Sequence, residues 1–169
     1  MGQLRAVQVF IVGHARRPGN YTVSSLSTLV NAVFAAGGPS VSGSMRAIQL
    51  KRGAAVVTEL DLYDLLLRGD TRNDLRLQSG DVIFIPPVGN TVGITGEIRR
   101  PAIYELKGES KASDLLYLAG GLLPDADPRT ATVEWRSARS PSGDADPVGG
   151  AGRADSRTRH ARIHAVRRL

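Results

Sequence analysis

The sequence predicts an α+β fold, a mixed sheet with a helix packed on one face, and it predicts that this module occurs twice. The first observation is an internal repeat, because the stretch GHARRPGNY at residues 13–21 returns as GEIRRPAIY at residues 96–104. A shift of 83 residues without a gap gives eleven identities over the thirty positions 9–38. The second observation is that each copy has a strand-like pattern followed by a helical one.

The first element is a predicted hairpin. Val7, Val9 and Ile11 recur at every second position, which is the pattern of a strand buried mainly on one face. The run Arg-Pro-Gly-Asn at residues 17–20 then has turn chemistry, because proline fixes φ and glycine or asparagine accepts a positive φ. Residues 21–23 begin the returning strand.

A helix follows the hairpin. Ser24 and Ser25 are predicted to cap it, and Gly37-Gly38 to end it, because glycine tolerates the left-handed conformation after a helix. Both copies have a stripe of apolar residues at helical spacing. In the second copy it consists of Ala112, Leu115, Leu116 and Ala119 and precedes Gly120-Gly121. In the first copy, the apolar residues fall at helical spacing on one stripe, namely Leu26, Leu29, Val30, Val33 and Phe34.

The rest of the first unit completes a sheet. Residues 47–51 and 55–58 are predicted strands joined around Arg52-Gly53. Asp61 is expected to cap a short helix that ends at Gly69, and residues 82–85 form a last strand halted by two prolines. One helix and several strands of mixed direction predict an α+β module.

The second unit departs from the first after Trp135. Val133 and Trp135 are expected in the places of Ile48 and Leu50, but residues 136–169 are rich in Arg, Ala, Gly, Ser, Asp and Pro. We therefore predict a complete domain at 5–88, a truncated one at 89–135, and a disordered or irregular basic tail at 136–169. Two explanations stay open for the tail: a natural extension, or the product of a reading-frame slip in GC-rich coding DNA.

Composition excludes several classes of protein. Most of the net charge of +6 belongs to the tail, because residues 136–169 contain eight Arg and three Asp, a net of +5. The remaining residues are nearly neutral and have few aromatics, which argues against nucleic-acid binding. The sequence has no cysteine, so disulfides and thiolate metal sites are excluded. We expect no signal peptide and no membrane span in this chain.

The order of these motifs resembles a known family. The hairpin with its GHARRPGNY turn, the helix ending in AAGG and the closing LQSGDVIFIPP are similar to the soluble-ligand-binding β-grasp (SLBB) domains of bacterial polysaccharide export proteins. The resemblance covers about residues 5–135. It implies a β-grasp fold, a periplasmic or outer-membrane-associated location, a role in capsule or exopolysaccharide export, and no catalysis. The implied partners are an anionic polysaccharide, other export proteins and further copies of the chain.

The predicted ligand contacts lie at the two turns. Paired guanidinium groups suit carboxylates or phosphates, and the following tyrosines could stack on sugar rings; the alternatives are a solvated charged turn and strand tyrosines that pack on the core. His14 is set aside because its counterpart is Glu97. No metal site, cofactor or catalytic group is expected. The candidate ligand residues are Arg16, Arg17, Tyr21, Arg99, Arg100 and Tyr104.

The predicted function is therefore a non-catalytic part of a polysaccharide export system that binds the polymer or mediates assembly. The alternative is an oligomerisation or docking module that contacts no sugar. Because the second unit has no pattern for its closing strands, we expect its hairpin to depend on packing or on a partner strand.

Overall fold

The computed structural model describes residues 5–124, 126, 132–137 and 159–165, the last two ranges as backbone. The chain divides into two compact units, Met1–Val88 and Gly89–Leu169. Each unit contains a sheet and has its own apolar core.

The first unit is built on a five-stranded mixed sheet. Its strand order is β2-β1-β5-β3-β4, with β1 and β5 parallel at the centre and the other pairs antiparallel. The predicted α+β fold is confirmed. The elements are β1 (Ala6–Gly13), β2 (Gly19–Ser24), α1 (Leu29–Ala35), β3 (Ile48–Arg52), β4 (Ala55–Leu60), α2 (Leu62–Arg68) and β5 (Val82–Ile85).

The core of the first unit lies between the sheet and α1. Val9 and Ile11 of β1 are fully buried, as is Ile83 of β5, because alternate residues of a strand point to the same face. Leu29 and Val33 of α1 join them in one cluster. The apolar residues that the strand and helix patterns indicated therefore pack against each other in one core.

The predicted start of α1 is wrong. Thr28 is the N-cap residue. Ser25 still continues the pairing of β2, because its N–H donates to the Arg5 carbonyl at 2.8 Å. The Asp74 carboxylate accepts the Val30 N–H at 2.8 Å, so a residue distant in sequence caps the helix. Two predicted core residues are also exposed, Leu26 at 56% and Phe34 at 51%.

The predictions for α2 are confirmed. The Asp61 side chain accepts the Tyr63 N–H at 2.8 Å, and Gly69 ends the helix at a φ of 67°. The same carboxylate receives the Arg46 Nε at 3.1 Å, and both side chains are buried. Asp61 therefore combines a helix cap with a buried ion pair.

A second ion pair joins β3 to the turn before β5. Arg52 donates from Nε and Nη2 to the two carboxylate oxygens of Asp81, at 2.8 and 2.9 Å. The Gln78 N–H donates to the same carboxylate at 2.8 Å. Burial acts to raise the pKa of Asp81, but the hydrogen bonds from Arg52 and Gln78 hold it below its ordinary value.

The second unit repeats the centre of the first. Its described strand order is β7-β6-β9-β8, in which β6 pairs antiparallel with β7 and parallel with β9. The third helix begins and ends 83 residues after α1. Its described elements are β6 (Thr91–Gly96), β7 (Ala102–Glu105), α3 (Ala112–Leu118), β8 (Thr132–Ser137) and β9 (Arg159–Ala165).

The prediction of an irregular segment from residue 136 is wrong at two places. β8 continues to Ser137, and β9 occupies the position that β5 has in the first unit. Its sequence RHARIHA alternates Ala161, Ile163 and Ala165 with charged or polar residues, which is a strand pattern of period two. Backbone hydrogen bonds to β6 on one side and to β8 on the other also stabilise this segment as a strand. Residues 138–158 and 166–169 lie outside the described part.

The expected lack of a closing strand in the second unit is therefore also wrong. β9 pairs with β6 from Val92 to Gly96, so the hairpin is closed by the chain itself. β8 takes the place of β3. Val133 pairs with Ile163 as Leu50 pairs with Ile83, so Val133 corresponds to Leu50 and not to Ile48. This register differs by two residues from the predicted one. The reading-frame slip stays a hypothesis about the coding DNA.

Candidate functional site

The two arginine turns are anchored to the loops that follow the helices. In the first unit Ala15 bridges Pro39, and the Arg16 N–H donates to the Gly38 carbonyl at 2.9 Å. In the second unit Ile98 bridges Leu122, and the Arg99 N–H donates to the Gly121 carbonyl at 3.0 Å. The repeated RRP and AGG motifs are thus two halves of one structural feature.

The tyrosine after each turn donates a hydrogen bond to a backbone carbonyl of that turn. Tyr21 donates its hydroxyl to the Arg17 carbonyl at 2.6 Å, and Tyr104 donates to the Arg100 carbonyl at 2.7 Å. Both rings pack against the core of their unit. Burial raises the pKa of Tyr104, and the Arg100 charge offsets part of that rise. The packing alternative for these tyrosines therefore has direct support, and the hydroxyl has a defined partner.

The arginine side chains lie against the helix ends. Arg17 donates from Nη2 to the Ala35 carbonyl at 3.1 Å, in the last turn of α1, where carbonyls need partners and carry partial negative charge. A Cβ added at Gly37 would come within 3.2 Å of the Arg16 Cδ, and one at Gly120 within 3.0 Å of the Arg100 Nε. Each glycine that ends a helix therefore also makes room for an arginine of the turn.

A polar cluster beside the first turn was not predicted from the sequence. The His14 Nδ1 lies 3.1 Å from the Ser42 Oγ, and the Ser42 Oγ lies 3.2 Å from the Ser40 Oγ. We call these three residues the His–Ser cluster. Its sequence signal was a serine-rich loop after Gly37-Gly38. The contact could not be predicted, because His14 and Ser42 are separated by 28 positions in sequence.

The site residues have different surroundings. Arg16, Arg17, Arg99 and Arg100 are exposed, whereas Tyr21 and Tyr104 are half-buried. The two turns belong to separate units, and each unit brings together its own pair of arginines and its own tyrosine. Their role as ligand contacts stays a prediction.

Within the described residues, no three His, Asp or Glu side chains are grouped so that they could hold a metal ion. No helix in that part of the chain has the length and apolar character needed to cross a bilayer. The candidate site is accordingly one of guanidinium, imidazole and hydroxyl groups.

Comparison with known families gives two matches of the same description. Residues 7–85 match one model of the SLBB domain, and residues 91–143 match another. The chain belongs to the SLBB domain family. The resemblance read from the turn, helix and closing-strand motifs is confirmed, and the two SLBB domains occur in tandem. β9 of the second SLBB domain lies beyond the matched residues.

Two curated relatives from Escherichia coli, both described as polysialic acid transport protein KpsD, are similar to this chain. Each is 31% identical over 109 residues, which is 64% of this chain and 19% of the relative. The matched segment thus spans about a fifth of the length of these relatives. The similarity therefore covers a part of each relative and not its whole length.

Proposed function

We propose that this chain is a non-catalytic part of a bacterial polysaccharide export system, in the periplasm or at the outer membrane, and that its SLBB domains bind an anionic polysaccharide. The observation that carries the proposal is the arginine turn, whose guanidinium groups are exposed on a backbone held to the end of a helix. Arg16 and Arg17 in the first domain, and Arg99 and Arg100 in the second, are exposed beside a helix end.

The chemistry of the turn favours an acidic sugar. A guanidinium group binds a carboxylate through two parallel hydrogen bonds and keeps its charge at every physiological pH. The relatives are described as transporting polysialic acid, which is an acidic polymer. The backbone bonds that hold each turn fix the arginine positions before a ligand arrives, which lowers the entropic cost of binding.

A titration with a short sialic acid oligomer tests this proposal. The variant that replaces Arg16, Arg17, Arg99 and Arg100 with Ala should bind the oligomer at least about tenfold more weakly, since hydrogen bonds to charged groups contribute about 1.5–3 kcal/mol. Binding should also weaken with added salt.

The matched control removes the same number of positive charges elsewhere on the first unit. It replaces the exposed residues Arg5, Arg68, Arg72 and Arg76 with Ala. This variant should bind nearly as the native chain does. Equal loss in both variants would mean that net charge, and not the turn, attracts the polymer.

A second candidate function is self-association without sugar binding. The sheet face opposite α1 in the first unit presents Phe10 and Val12, 43% and 38% exposed, opposite Val82 and Phe84 of β5. Lys51 lies over the Phe84 ring at 4.7 Å, and Glu59 lies on the same face two strands from Phe84. Apolar residues with flanking charges of both signs suit a symmetric contact with a second copy of the chain.

Sedimentation of the same samples separates the two functions. The docking function predicts concentration-dependent dimers that are lost on Phe10→Ser, together with no oligomer binding in the native chain. Oligomer binding by a monomer, retained in Phe10→Ser, contradicts the docking function.

A further inference from the structure

The His–Ser cluster is held in place by backbone contacts on every side. The His14 N–H donates to the Ile85 carbonyl at 2.8 Å, and the Ser40 N–H donates to the His14 carbonyl at 2.7 Å. The Val88 N–H donates to the Ser42 carbonyl at 2.8 Å. The cluster is therefore attached to the end of the central strand β5 and not to a free loop.

Gly43 brings the two halves of the cluster together. A Cβ at this position would lie 2.2 Å from the His14 carbonyl oxygen, so only glycine permits the approach. Gly43 is buried and also bridges Pro87. The contact between His14 and Ser42 thus depends on a close passage of two backbone segments, which makes the cluster rigid.

Arg16 extends the cluster toward the turn. Ala15 is buried, 7% exposed, while its neighbours His14 and Arg16 are both exposed. Ala15 bridges Pro39 between two backbone hydrogen bonds, from the Arg16 N–H to the Gly38 carbonyl and from the Ser40 N–H to the His14 carbonyl, so residues 14 and 16 project from the side opposite Ala15. Arg16, His14, Ser40 and Ser42 therefore offer a guanidinium, an imidazole and two hydroxyls along one surface.

The other predicted contacts of the first turn already have structural partners. Arg17 is bonded to the last turn of α1, and the Tyr21 hydroxyl is bonded to the Arg17 carbonyl. These bonds shape the turn. They leave Arg16 as the turn arginine nearest in sequence to His14 of the cluster.

The second domain carries different groups at the equivalent positions. The 83-residue shift places Glu97 at the position of His14, and Leu123, which is 37% exposed, at the position of Ser40. A carboxylate at this position repels an acidic ligand, and leucine offers no hydrogen bond. The two arginine turns are therefore not equivalent as ligand sites.

We propose that Arg16 and the His–Ser cluster form a binding site for one acidic sugar unit, and that this site exists in the first SLBB domain and not in the second. The inference rests on the proposed function, because it presumes that the chain binds an acidic polymer. Arg16 binds the sugar carboxylate, while His14, Ser40 and Ser42 exchange hydrogen bonds with its hydroxyls. A sugar presents both kinds of group on one face, as this surface does.

Calorimetric titration of the full chain with a short sialic acid oligomer tests the site. His14→Ala, Ser42→Ala and Arg16→Ala should each weaken binding, by about five- to tenfold for His14 and Ser42 and more for Arg16. The matched control Arg99→Ala should change the dissociation constant less than about twofold. The fitted stoichiometry should be one oligomer per chain, and a neutral glucose oligomer should not bind.

Three outcomes have distinct meanings. If the native chain binds no oligomer, the proposed function fails and the site with it. If the native chain binds but His14→Ala and Ser42→Ala, with unchanged unfolding temperatures, bind equally well, the site alone is wrong. If Arg99→Ala loses as much affinity as Arg16→Ala, or two oligomers bind per chain, the asymmetry between the domains is wrong.

Discussion

The residue whose surroundings have the clearest energetic consequence is Asp81. Its side chain is fully buried, whereas the Arg52 side chain that pairs with it is 37% exposed. Burying a carboxylate is costly unless hydrogen bonds compensate, and here three donors reach its two oxygens. The pair belongs to the frame of the first domain, because it joins β3 to the turn that begins β5.

We expect Asp81→Asn to destabilise the first domain by about 1–3 kcal/mol, since the partly exposed Arg52 can regain water. Denaturant unfolding monitored by circular dichroism measures this loss. The control Asp64→Asn removes a surface pair with Arg68 and should cost about 0.5 kcal/mol or less. Similar losses in the two variants would show that the buried pair contributes no more to the free energy of unfolding than the surface pair does.

The pH dependence of stability follows from the same residue. The pKa of Asp81 is lower in the folded chain than its ordinary value of 3.8, so the unfolded chain takes up the proton first. The stabilisation is complete above that ordinary value and is lost as the pH falls below it toward the folded pKa. We expect the native chain to lose stability over this acidic range more steeply than Asp81→Asn. Parallel curves for the two proteins would contradict the assignment.

At the scale of elements, the hairpin turn and the helix end act as one feature. Gly37 and Gly38 have nearly the same backbone, with φ of 80° and 78°. They differ in their neighbours, because a Cβ on Gly37 would press on Arg16, whereas one on Gly38 would meet no described atom within 4 Å. The arginine turn therefore depends on the first glycine in a way that backbone conformation alone does not explain.

This difference gives a matched pair of variants. Gly37→Ala and Gly38→Ala should both lose about 1–2 kcal/mol of folding free energy, since both place an L-residue in the left-handed region. Gly37→Ala alone should also displace Arg16 and weaken oligomer binding several-fold. The measurements are thermal unfolding and the sialic acid titration. Identical binding by the two variants would mean that the Arg16 stem moves aside without consequence.

The elements also show what sequence patterns can predict. The hairpin, the helices and the paired glycines were predictable because their signals lie within a few residues of one another. The N-cap of α1 was mispredicted because Asp74, far along the chain, satisfies the Val30 N–H. The His14–Ser42 contact and the tyrosine bonds depend on tertiary approach, so residue type and spacing could suggest the site at Arg16 but not its neighbours.

At the scale of the whole molecule, β9 makes the second domain a counterpart of the first. The strand was missed because RHARIHA has a single large apolar residue and lies in a segment of disorder-like composition. Its pairing partners were needed to identify it. Both SLBB domains have the same central arrangement, in which the first strand is flanked by its hairpin partner and by a later parallel strand.

We expect Ile163→Pro to open the second domain and leave the first intact. Proline removes a backbone donor from the middle of the strand and does not fit a central position. Amide hydrogen exchange should show loss of protection in β6 and β8, while β1 and β5 stay protected. Ile163→Val, which keeps the backbone donor, is the control and should leave the exchange pattern unchanged. Continued protection of β6 in Ile163→Pro would contradict the role of β9.

The parallel pairs β1–β5 and β6–β9 also fix the order in which the molecule can form. Phe10 pairs with Val82, and Val92 with Ala161, so each central pair joins strands about 70 residues apart. During synthesis, β1 waits with one edge open until residue 85 has emerged, and β6 waits in the same way until residue 165. The open edges of β1 and β6 are therefore where a chaperone or an unwanted neighbour would pair first during synthesis.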